Sequence, residues 1–298
     1  MPENRFWREG VDEMLPIDGH TNGPAYRWPE GKRIAVMVTF DFDAEYLRKS
    51  RAESKGKHIG FTDYSRGLYA PHEGLRRVLE CLDTTQIHCT FFIPGAVLEA
   101  YPECCREIAE RGHEIAYHTY DHNADIDLPE DEALRQLETS EVLIERLAGR
   151  KPVGSRGPLG IIHPYTMAVL EKRGYLYEST MKDCDWAYPV DDSGLVELPN
   201  EQTMDDMTYW FFTFSNPAVR SMYTTREVFG NWKDEFDALA EEVNKVFILK
   251  LHPQLIGRGS RIKPLCRFIA YMQEHGAWIT TCENVARYVL AHKEAYHG

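Results

Sequence analysis

The chain has 298 residues, of which 43% are hydrophobic and 12% aromatic, and a formal charge of −13 at pH 7. These values fit a folded protein with a sizeable core. The acidic charge argues against a nucleic-acid or anionic-membrane surface, because both reward Lys and Arg. No stretch nears the ~18 apolar residues that a bilayer-spanning helix needs.

The N-terminal stretch "MPENRFWREGVDEML" lacks the apolar core of a secretory signal, so a cytoplasmic location is expected. Seven scattered cysteines with no CxxC pair are read as reduced and mostly structural. Residues 1–33, rich in Pro, Gly and charge, form an arm or capping segment, and 34–298 form the main domain. "RIAVMVTF" predicts a strand that runs into Asp41 and Asp43. In a strand, residues i and i+2 share a face. Two carboxylates side by side then need a counter-ion or a shared proton. Residues 46–69 lack clear periodicity and are expected to be a long loop.

Leu75, Val78, Leu79 and Leu82 have helical spacing; "IHCTFFIPG" predicts a strand and "YPECCREIAERG" a helix. "HEIAYH" is a short strand, followed by a long helix over "PEDEALRQLETSEVLIERLAG". Further strands are expected at "PVGSR", "YLYEST", "LVELP", "KVFILKL" and "AWITT". Helices are expected at "PYTMAVLEKRG", 232–245, "IKPLCRFIAYMQEHG" and "ENVARYVLAHKEA". Alternating strands and helices imply a parallel α/β sheet with helical crossovers.

His118 and His122 stand four apart just after a strand, a spacing at which both imidazoles reach one ion on a helical turn. With a carboxylate from the aspartate pair they make a divalent-metal site with open positions. His113, at the other end of that strand, is expected to be structural. Arg156 ends a short strand in "SRGPLG". Asp183 and Asp185 lie in "KDCDW". His252 ends the apolar strand "FILKLHP" and is placed as a proton donor.

In this order, "TFDFD", "HTYDH", "RGPLG", "DCDW" and "LKLHP" resemble the five successive motifs of the polysaccharide deacetylase (NodB-homology) superfamily. The resemblance implies a distorted (β/α) barrel with fewer than eight regular strands. It implies Asp41 as general base, Asp43, His118 and His122 as metal ligands, Arg156 as the residue orienting the base, and His252 as general acid. Asp183 or Asp185 would fill the acidic position beside the arginine. One divalent ion is implied; zinc is favoured on availability, with Co, Mn, Fe and Ni also compatible.

"RWPEGKRIAV", "SRGLYAPHEGLRRVLECLD" and "LKLHPQLIGRGSRI" are similar to the intracellular branch of cyclic imide hydrolases and allantoinases. Leu159 replaces the aromatic usual in sugar deacetylases, whereas Ala70 and His72 depart from the Gly and Arg expected in that branch. The expected reaction is therefore metal-dependent hydrolysis of a C–N bond in a small cyclic amide or imide. The alternative is N-deacetylation of an amino sugar, chitooligosaccharide or peptidoglycan fragment. Residues 46–69, Trp186 and Trp210 are candidates for closing the pocket, and Glu45 either lines it or caps a turn. The same branch implies a homo-oligomer, with a tetramer among the allowed states.

Overall fold

The computed structural model describes residues 27–53, 55–123, 128–162, 164–190, 194–212 and 222–296. Most of the expected N-terminal arm, 1–26, lies outside the described residues. Of the remainder, Trp28 is buried against Trp278 and Tyr288, and its indole Nε1 donates to the carbonyl of Lys245 at 3.0 Å.

Among the described residues, nine strands form one curled sheet: β1 (Ile34–Asp41), β2 (Thr90–Ile93), β3 (Glu114–Tyr117), β4 (Gly154–Ser155), β5 (Tyr177–Glu178), β6 (Tyr188–Pro189), β7 (Val196–Glu197), β8 (Val246–Leu251) and β9 (Ala277–Ile279). The spatial order is β6-β7-β5-β4-β3-β2-β1-β8; β9 lies along the first half of β1, and β2 along its second half. All pairings are parallel except β6 with β7. Four strands are only two residues long, so the barrel is distorted and its regular strands number fewer than eight.

The two-residue period of β1 assigns its side chains to two environments. Ile34, Val36, Val38 and Phe40 join the core under the helices Leu75–Thr85, Thr225–Glu241 and Gly259–Glu274. Ala35 and Met37 face the other way, into a cluster with Phe92, Ala116, Tyr177 and Val196 from neighbouring strands. Thr39 and Asp41 continue that second row. On β8, Val246 and Ile248 belong to the same cluster, and Lys250 and His252 continue it. Two alternating strands thus carry polar residues to the carboxyl end of the sheet, where an α/β barrel gathers its functional groups.

Three sequence expectations change. Residues 46–69 contain the helices Tyr46–Glu53 and Phe61–Tyr69, which bury little: Leu47 and Ser50 in the first and Gly67 in the second. Gly67 lets the second lie so close to Glu45 that a Cβ would collide with backbone. The cysteines are not all reduced: Cys81 and Cys266 form a disulfide between the helices Leu75–Thr85 and Gly259–Glu274. This removes the cysteine argument for a reducing compartment. His118 and His122 lie in a loop rather than on a helical turn, because Thr119 and His122 take positive φ values of 57° and 65°.

Candidate active site

Asp41 ends β1 and Asp43 follows two residues later. His118 follows β3 directly, Arg156 follows β4 and His252 follows β8. Because these strands run parallel, all five side chains meet at one end of the sheet. Each is 1% exposed or less, and His122 is 5% exposed. Ala44, Thr119 and His122 hold left-handed backbone at the strand exits, an uncommon conformation that turns the loops back over the cluster.

Around Asp43 the donors converge. His118 Nε2 lies 3.5 Å from its Oδ1, and His122 Nε2 lies 3.5 Å from its Oδ2. Both Asp43 oxygens are buried without a hydrogen-bond partner. Burial pushes this carboxyl up to about 7, Asp41 adding to the rise while His252 and Lys250 oppose it. Burial pulls His118 down to about 4 and His122 well below its ordinary value, so both imidazoles are neutral at pH 7. His118 Nδ1 lies 2.7 Å from the carbonyl of Arg156. That contact requires the proton on Nδ1, which leaves Nε2 as a bare donor facing Asp43. Two neutral imidazoles and an unpartnered carboxylate, with ligand atoms within 4.8 Å of one another, suit one divalent cation.

Asp41 has different company. Arg156 Nη1 donates to its Oδ1 at 2.8 Å and to Thr39 Oγ1 at 2.9 Å, while the guanidinium stacks on Phe92 at 4.0 Å. Ser179 fixes the rest of the fork through its carbonyl and hydroxyl. Lys250 Nζ stands 3.7 Å from Asp41 Oδ2. Burial would raise the Asp41 carboxyl, but Arg156, His118, Lys250 and His252 outweigh it and hold it far below the usual range. Asp41 is therefore ionised, with Oδ2 buried and free to accept a proton.

His252 completes the ring. Its Nε2 lies 3.9 Å from Asp41 Oδ2 and 3.6 Å from Asp43 Oδ2. Its Nδ1 lies 2.7 Å from Asp206 Oδ1, and its backbone N–H donates to Asp206 Oδ2 at 3.0 Å. Burial would lower the imidazole, but Asp206, Asp205 and Asp43 raise it to about 9, so it is cationic at neutral pH. Asp205, Asp206 and His252 also have ligand-type atoms close together. Those atoms are already engaged: Asp206 holds His252, and Asp205 pairs with Lys250 at 3.2 Å.

The residues expected from sequence converge, with one exception. Asp183 accepts from the Tyr188 hydroxyl at 2.9 Å, and Asp185 stands 3.9 Å from Lys245. Among the described residues neither pairs with Arg156, whose carboxylate partner is Asp41. Sequence reasoning missed Asp206 and Lys250. A lysine inside the apolar run "VFILKL" was a usable signal, since a buried ammonium demands a carboxylate. Asp206 had the weaker cue of adjacent acids opening the short helix Asp206–Trp210. Glu45 is buried and accepts from the Tyr101 hydroxyl at 2.8 Å. His113 accepts from the Cys89 N–H at 3.3 Å, at the far end of β3. Trp210 borders a cavity of about 440 Å³, whereas Trp186 lies under the Lys245 ammonium.

Comparison with known proteins agrees with this geometry. Residues 53–177 match the polysaccharide deacetylase family. A Mycobacterium smegmatis protein assigned to the polysaccharide deacetylases superposes with a TM-score of 0.81 at 33% identity, over 92% of this chain and 96% of that one. The peptidoglycan deacetylase-like protein FGM2 of Gibberella zeae is 29% identical over 89% of each chain. Puue allantoinase, at 24% identity, shares the fold with a TM-score of 0.79, over 93% of this chain and 98% of its own. The chain belongs to the polysaccharide deacetylase (NodB-homology) family, hydrolases that act on carbon–nitrogen bonds.

Proposed function

We propose that the protein hydrolyses the C–N bond of a small cyclic amide or imide with one divalent ion, zinc, held by Asp43, His118 and His122. The observation that carries this reading is the pair of buried, unpartnered Asp43 oxygens facing two neutral imidazoles, with an ionised Asp41 and a cationic His252 alongside. When bound, the ion would polarise a carbonyl oxygen and acidify water. Asp41, fixed by Arg156, takes the proton from the attacking water at Oδ2. His252, oriented by Asp206, gives its Nε2 proton to the departing nitrogen and closes the proton balance. Arg156 fixes the position of Asp41 and, of the groups that keep it ionised, is the first, without reaching its free oxygen.

Burial supports a small substrate. All six cluster residues are 5% exposed or less, and a cavity walled partly by the segments that carry them is about 440 Å³. That volume suits a small molecule better than a polymer, which needs an open groove. The resemblance to FGM2 favours a second reading, N-deacetylation of a peptidoglycan fragment, through the same residues. As in the intracellular branch, we expect a homo-oligomer. A panel of succinimide, glutarimide, hydantoin, allantoin, N-acetylglucosamine and chitotetraose separates the two readings. Ring opening without acetate release supports the imidase; acetate release from the sugars replaces it with the deacetylase.

A further inference from the structure

The cavity of about 440 Å³ is not lined by the six cluster residues themselves, but three segments that carry cluster residues or their partners also supply its wall. Leu47 and Arg48 follow Asp43 by four and five residues, Trp210 follows Asp206 by four, and Gln254 follows His252 by two. Its wall carries four arginines, Arg48, Arg66, Arg258 and Arg261, in a chain whose formal charge is −13.

The four differ in their partners. Arg48 and Arg66 both reach Asp63, at 3.1 and 3.2 Å. Arg258 and Arg261 form no ion pair with a carboxylate among the described residues. Instead, Arg258 lies over the Tyr69 ring at 3.5 Å, and Arg261 lies over the Trp210 ring at 4.2 Å. Arg261 also donates to the carbonyl of Leu255 at 2.9 Å, and Arg258 donates to that of Gln254 at 3.4 Å. Ring faces and carbonyls fix the guanidinium planes without forming an ion pair, and Asp206, already bonded to His252, acts on Arg261 from beyond ion-pair distance. Burial is the largest influence lowering Arg48, Arg258 and Arg261, so water is already partly withdrawn from them.

A second observation points to a ligand. Gln254 is 6% exposed, lines this cavity, and has neither its amide oxygen nor its nitrogen hydrogen-bonded. A buried amide with both ends unsatisfied carries a desolvation cost that a polar ligand removes.

We propose that this cavity binds an anionic arm of the substrate, a carboxylate or phosphate, gripped by Arg258 and Arg261 with Gln254 beside the scissile group. The substrate class is then an anion-bearing amide or imide, and the proposal rests on the C–N hydrolase reading only for where the scissile bond lies. The guanidinium fork matches the oxygens of either anion with paired charge-assisted hydrogen bonds.

Calorimetric binding tests this on the metal-loaded protein, with glutarate and inorganic phosphate as anionic probes and glutaramide as the neutral counterpart. Turnover of N-acetylmuramic acid against N-acetylglucosamine, and of hydantoin-5-acetate against hydantoin, supplies the second arm. Glutarate or phosphate should bind at least about tenfold tighter than glutaramide, the value of one charged hydrogen bond. The stronger of the two anions identifies the arm. Arg258→Gln and Arg261→Gln should each lose about tenfold or more of that affinity, and the anionic-over-neutral preference in kcat/KM should fall towards one through KM. If either variant loses its near-UV circular dichroism, R258K and R261K replace it. They keep the charge but lose the fork, and their affinity should also fall. Equal binding of glutarate, phosphate and glutaramide, or wild-type anion affinity in the folded variants, overturns the proposal. If no amide or imide is turned over, the hydrolase reading fails on its own, and probe binding still decides the anion site.

Discussion

Replacing Asp206 by Asn isolates the device that keeps His252 protonated. The carboxylate accepts twice, from the imidazole Nδ1 at 2.7 Å and from the His252 backbone N–H at 3.0 Å. An amide of the same shape offers one oxygen and one N–H₂, so one of these two donors must lose its acceptor while the negative charge disappears. A hydrogen bond to a charged group contributes about 1.5–3 kcal/mol in a buried setting. Each pKa unit corresponds to about 1.4 kcal/mol, so the imidazole should fall from about 9 by about one to two units.

The direct assay is an NMR titration of the His252 ring, assigned by difference from His252→Gln. Where a substrate is turned over, the basic limb of its pH–rate profile should move down equally, because the acid must be protonated to deliver its proton. Stability should follow. The folded value of His252 lies above its ordinary 6.5, so its contribution is complete below that pH and is lost as pH rises through about 9. Asp206→Asn should flatten that loss. An unchanged His252 titration in a folded variant would refute the reasoning.

Arg156→Met should leave the buried Asp41 carboxylate with only the more distant Lys250 and His252 cations; breaking such a pair costs about 3–5 kcal/mol, read from the denaturant midpoint, and activity should vanish. Metal-free protein should lose stability as pH rises from about 4 to about 7, because the folded Asp43 value, about 7, exceeds its ordinary 3.8. Chemical denaturation at each pH, with and without added zinc, checks that the ion removes this loss. Denaturing, non-reducing alkylation should label five cysteines, Cys89, Cys104, Cys105, Cys184 and Cys282, and spare Cys81 and Cys266; labelling of all seven would restore the reduced reading.

Much of the site was legible because it sits where strands end. The aspartate pair announced itself by the two-residue period of β1, and His252 by closing the apolar run of β8. What stayed hidden depends on partners distant in sequence. Asp206 matters only because a short helix is folded against the end of β8, a contact that no local pattern encodes. Asp183 sits in the stretch that matched the fourth motif, but the chain turns it towards Tyr188. The helices Tyr46–Glu53 and Phe61–Tyr69 were not predicted: the first is strongly polar, and the second packs through the bare backbone of Gly67 while Phe61 and Tyr64 stay exposed. Of the two-residue strands, β4, β5 and β7 fall inside the expected runs "PVGSR", "YLYEST" and "LVELP", whereas β6, Tyr188–Pro189, is too short to carry a period.

The central claim, a metal-dependent C–N hydrolase built on Asp43, His118 and His122, is tested most directly by measuring bound metal and hydrolysis together. The proteins needed are the wild type, Asp43→Ala and His252→Ala. The account predicts about one ion and turnover in the wild type, loss of both in Asp43→Ala, and loss of turnover with the ion retained in His252→Ala. Wild-type turnover that survives complete chelation, or an Asp43→Ala protein that keeps its ion and its activity, would contradict it.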